Sequence, residues 1–137
     1  MRFRTSIQHA IVVSALACTT RSDARIELVA DARIPRPQFT IGGSQVPRRI
    51  RIERRDVGLD DDQIQTVWLL MATPATTPLV STVLTYGEVP AGFAQAAPAS
   101  ALFPGRYALI ADSRNGSSLI EFRVESDGRV TPRFSLR

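Results

Sequence analysis

The chain has 137 residues, with seventeen basic side chains, all arginine, set against thirteen carboxylates, one cysteine and one histidine. Without lysine there is no Schiff-base or Walker lysine, and one histidine with one cysteine cannot furnish a zinc or copper site of the usual ligand types. A lone cysteine forms no internal disulfide, so an exported domain of this composition relies on packing alone.

In chain order, Arg2 and Arg4 come first, followed by an uncharged stretch from Thr5 to Ala17 with the apolar centre Ile11-Val12-Val13. Ser14-Ala15-Leu16-Ala17 and then Cys18 close it. A positive end, a short apolar segment and small residues at a cleavage point make the pattern of a secretory signal peptide. The stretch falls short of the ~20 apolar residues that a membrane-spanning helix needs. With Cys18 directly after the small residues, the run resembles the lipobox of bacterial lipoproteins. The resemblance implies lipid on the Cys18 thiol, cleavage after Ala17 and acylation of the new amino end. Several acyl chains give lasting attachment where one gives only marginal binding.

The resemblance also implies a lipid-anchored position in the cell envelope. In a Gram-negative cell, Thr19, not being aspartate, implies the outer membrane, facing the periplasm. Ala15-Leu16-Ala17 also reads as an A-x-A site for ordinary signal peptidase, which makes a soluble periplasmic or secreted domain the alternative. The expected organisation is a signal peptide over 1–17, a lipidated terminus and tether over 18–24, and a single domain over 25–137. Cleavage discards His9, the only histidine, and with it any Ser-His-Asp triad or imidazole base. The mature part keeps fifteen arginines and thirteen carboxylates, a net charge of +2. A balance this even does not point to nucleic acid, and no cofactor is expected.

Within the mature chain, Arg25-Ile26-Glu27-Leu28-Val29 alternates briefly, as a first strand would. Pro35 and Pro37 predict that Ile34 to Ile41 is an extended edge rather than a central strand. Gly42-Gly43-Ser44 makes a turn. Arg49-Ile50-Arg51-Ile52-Glu53 has a clear period of two, isoleucines to a core and charges to water. A polar connection over 56–65 precedes Val67 to Ala72, nearly all apolar and expected to be buried on both faces. Ser81 to Tyr86 is rich in strand-forming residues and stops at Gly87. Glu88 to Ser100, with two prolines and five alanines, reads as a long surface loop. Tyr107–Ala111, Leu119–Glu125 and Arg129–Phe134 are three strands, with Asn115-Gly116 and Asp127-Gly128 as turn pairs.

Seven or eight short strands joined by turns predict an all-β fold, a single antiparallel β-sandwich. Trp68 falls in a candidate third strand, where sandwich domains often bury a tryptophan. Leu102-Phe103-Pro104-Gly105-Arg106-Tyr107 resembles the L-x-P-G-x-Y approach to the penultimate strand of immunoglobulin-like and fibronectin type III-like domains. That resemblance implies a tyrosine hydroxyl bonded back to the preceding corner; it speaks to architecture and not to function.

Two candidate recognition features follow. Arg49, Arg51 and Arg55 share a strand face with Glu53 and form a candidate surface for anions, such as an anionic surface glycan, or for another envelope protein. The competing reading is a solvated face whose arginines pair with neighbouring carboxylates. Phe93, on the Gly87–Ser100 loop, is a candidate recognition residue if it is exposed. Asp60-Asp61-Asp62 lacks the spacing of a calcium loop, so no metal site is expected. Asp56, Glu88, Asp112 and Glu121 are the carboxylates available to a small hydrolase, the least favoured reading, since nothing in their spacing pairs them. Trp68, Tyr107 and Phe122 are read as core. The function expected is a non-catalytic binding or structural module held to a membrane through Cys18.

Overall fold

The computed structural model describes residues 25–43, 46–56, 64–74 and 81–133; the leader, Cys18, the tether and Asp60-Asp61-Asp62 lie outside them. Among the described residues the chain is all-β, nine antiparallel strands in two packed sheets. They are β1 (Arg25–Leu28), β2 (Gln38–Gly42), β3 (Arg49–Arg54), β4 (Gln65–Ala72), β5 (Ser81–Thr85), β6 (Phe93–Ala97), β7 (Gly105–Ser113), β8 (Gly116–Val124) and β9 (Val130–Pro132). One sheet has the order β1-β2-β5 and the other β6-β4-β3-β7-β8-β9.

Alternation decides what each strand buries. Ile50 and Ile52 on β3, Trp68 and Leu70 on β4, Tyr107 and Leu109 on β7, and Phe122 and Val124 on β8 all point inward and are fully buried. Phe39 and Ile41 of β2 and Leu84 of β5 meet them from the smaller sheet. The Phe122 ring joins the two layers: it lies 5.2 Å from Phe39 and stacks on Tyr107 at 5.5 Å and 12°. Burying an apolar side chain of this size contributes about 1.5–3 kcal/mol, so this layer dominates the stability of the domain.

Four details differ from the sequence expectation. β2 is the central strand of its sheet, because Pro35 and Pro37 precede its first residue and leave all its amides free to pair on both sides. β4 is not buried on both faces along its length: Val67 is buried beside Trp68, but Leu69 is only half-buried and Met71 is exposed. Trp68 belongs to the fourth strand, not the third. The connection from β7 to β8 is the two-residue loop Arg114-Asn115, with Gly116 already paired to Ser113. The β1–β2 connection closes one side of the sandwich, where the Ile34 and Val130 amides donate to the Gly128 and Ala32 carbonyls.

Candidate binding surfaces

The three arginines singled out by alternation are brought together on the outer face of β3, but not as free cations. Arg49 Nε donates to Asp112 Oδ2 at 2.8 Å, and Arg51 pairs with the same carboxylate. Arg51 Nε also donates to Glu53 Oε1 at 2.7 Å, and Arg55 Nη2 reaches Glu53 Oε2 at 3.1 Å. The result is one continuous ladder, Arg49–Asp112–Arg51–Glu53–Arg55, in which two carboxylates offset three guanidinium groups. Burial pushes the Asp112 carboxyl up, but the Ser117 hydroxyl, Arg49 and Arg51 outweigh it and hold it below the usual carboxylate range. An arriving anion has to compete with these internal partners, which weakens the case for this face as an anion site.

Phe93 is not an exposed contact. It is 7 % exposed, belongs to the core and opens β6, opposite Ala72. The segment read as a surface loop therefore holds an edge strand. Its alanines and Gln95 have little intrinsic strand preference; pairing along β4 forms the strand regardless. Gln95 Oε1 accepts the Trp68 indole N–H at 3.0 Å, and Trp68 itself is 0 % exposed.

Of the carboxylates available to acid/base chemistry, Asp56, Glu88 and Asp112 are engaged in hydrogen bonds or ion pairs. Asp56 Oδ1 accepts the Arg106 N–H at 3.1 Å, while Oδ2 holds Arg54. Burial again pushes this carboxyl up, and the Arg106 amide and Arg54 more than compensate, keeping it below its ordinary range. Glu88 pairs with the exposed Arg36 at 3.3 Å. Glu121 sits opposite Ala108 on β8, four residues along β7 from Asp112. At ~3.3 Å per residue that offset alone sets their Cα atoms about 13 Å apart. Among the described residues no group of three metal-ligating side chains gathers in one place.

One further site escaped the sequence reading. Phe103 is 59 % exposed, more than any other large apolar side chain among the described residues. Its backbone is held at both ends by one hydroxyl: the Phe103 N–H donates to Tyr107 Oη at 3.1 Å, and the Tyr107 O–H donates to the Phe103 carbonyl at 2.9 Å. Gly105 completes the corner, with φ +152° and the Asp56 carboxylate where a Cβ would lie only 2.6 Å away. Beside Phe103 runs an open cleft of about 430 Å³, lined by Arg54, Gln65, Thr66, Ser100 and Tyr107 among others. The signal was present in L-x-P-G-x-Y, since Leu102 is buried and the next side chain must face out.

Comparison with family models, with curated proteins and with solved structures gives no match to this chain.

Proposed function

We propose that this chain is a lipid-anchored module of the bacterial cell envelope, with a binding or structural role and no catalysis of its own. The observation that carries the reading is the Met1–Cys18 run, with its two arginines, uncharged apolar segment, small residues and single cysteine. Thr19 to Ala24 separate Cys18 from β1, so at ~3.6 Å per residue the domain begins no more than about 25 Å from the anchor. In a Gram-negative cell, Thr19 after the anchor supports the outer membrane, facing the periplasm. The tyrosine corner at Tyr107 and the two-sheet strand order support an immunoglobulin-like or fibronectin type III-like domain, extended at its edges by β6 and β9. The lowered Asp56 and Asp112 favour structural acceptors over general acids. The partner on this reading is another envelope protein or an anionic surface glycan.

A released, soluble domain is the second reading, and Ala15-Leu16-Ala17 is the observation that favours it. Metabolic labelling with a palmitate analogue separates the two. Label on the wild-type chain and its loss in a Cys18→Ala variant are expected, with the variant leaving the membrane fraction. Identical labelling of both chains, with both in the soluble fraction, rules the anchor out.

A further inference from the structure

We infer that the cleft beside Phe103 is a binding site for an uncharged saccharide, with the Phe103 ring as its stacking platform and Gln65, Thr66 and Ser100 as its hydroxyl partners. The inference starts from a conflict between exposure and order. A phenyl ring in water costs free energy, and on this chain it stands on a backbone position that the Tyr107 hydroxyl grips from both sides. Those two bonds fix the backbone that carries the ring, so this segment is already ordered before anything covers it.

The chemistry around the ring selects the ligand. Gln65, Thr66 and Ser100 are exposed and line the cleft with Phe103. Their side chains have no hydrogen-bond partner among the described residues, whereas Gln38, Gln95, Ser113, Ser117 and Thr131 all do. An amide and two hydroxyls beside one aromatic face suit a ring with an apolar face and a hydroxyl rim. Charge complementarity excludes an acidic glycan here, since the one cation in the lining, Arg54, is already bound by Asp56. An open cleft of about 430 Å³ lies in the range of small-molecule sites and fits one or two sugar rings. A peptide strand would need free main-chain edges or a deep side-chain pocket. The Val67 carbonyl bordering the cleft already accepts from the Ser100 amide and Tyr86 hydroxyl.

This site does not depend on the lipid anchor, so the full chain carrying Cys18→Ala serves as the test protein and removes any acyl contribution to retention. Its retention is measured on chitin, on amorphous cellulose and on alginate, the last being a polyuronate. Retention on chitin or cellulose is expected, unchanged as salt rises. An added Phe103→Ala should weaken it at least tenfold, Phe103→Tyr should keep it, and Gln65→Ala should weaken it several-fold. Phe103 is exposed, so these variants should melt with the parent chain, separating lost binding from lost fold. No retention on either neutral polymer overturns the inference. So does equal retention by Phe103→Ala, or retention on alginate alone with a steep salt dependence.

Discussion

The two faces of the six-stranded sheet are made from the same strands by the same alternation, yet they hold the molecule together in different ways. Inward, β3 places Ile50 and Ile52 against Trp68, Leu70 and Leu109, all fully buried. Outward, the same strand places Arg49, Arg51 and Glu53 in a partly hydrated charge ladder, with Arg49 46 % exposed. Apolar burial is non-directional and scales with area removed from water. Ion pairs at this exposure are screened, and much of their Coulomb gain goes into holding long side chains still. The inner face should therefore carry stability, while the outer face keeps the sheet's charge balanced.

The largest effect should come from Phe122→Ala. This removes both the Tyr107 stack and the contact with Phe39 across the two layers. Truncating a buried phenylalanine costs about 3–5 kcal/mol, a large part of the ~5–15 kcal/mol available to a domain. Equilibrium urea unfolding measures it, and a loss below about 1 kcal/mol would mean that the two sheets do not share one core.

Tyr107→Phe should come next, because the ring stays and only the corner is lost. Both polar groups of the Phe103 backbone then need water in place of the hydroxyl, at a cost of about 1–3 kcal/mol. The same change frees the Phe103 backbone, so saccharide retention should fall along with the urea midpoint. An unchanged midpoint would deny the hydroxyl its role at the corner.

How much of each face could be read from the sequence follows from the same difference. The inner face was legible because period-two alternation is a local property: Ile50 with Ile52, and Phe122 with Val124, identify themselves. So does the tyrosine corner, whose partners lie four residues apart. The outer ladder was only half legible. Arg51, Glu53 and Arg55 lie on one strand, but Asp112 is 61 residues from Arg51, and only the β3–β7 register brings it there. β6 was not legible, since its alanines carry no strand signal and the edge of β4 supplies the reason to extend. That pairing also buries Phe93, while the aromatic that does face solvent, Phe103, sat inside a motif read for architecture alone.

The smallest expected effect lies on the outer face, and its pH dependence gives it away. The folded Asp112 carboxyl titrates below its ordinary value of 3.8, so the unfolded chain takes up this proton more readily. Its contribution is then fully present above the unfolded value and is lost as pH falls through the folded one. Asp112→Asn should cost about 1 kcal/mol at neutral pH, discounted for partial exposure, and should flatten the fall in urea midpoint below about pH 4. The fall should not vanish, because Asp56 is shifted in the same direction. Arg49→Ala, which leaves Asp112 its contact with Arg51, should lower the unfolding free energy by less than about 0.5 kcal/mol. Parallel acid limbs for the wild-type and Asp112→Asn chains would show the ladder contributing nothing to stability. An Arg49→Ala loss approaching that of Tyr107→Phe would erase the distinction between the faces.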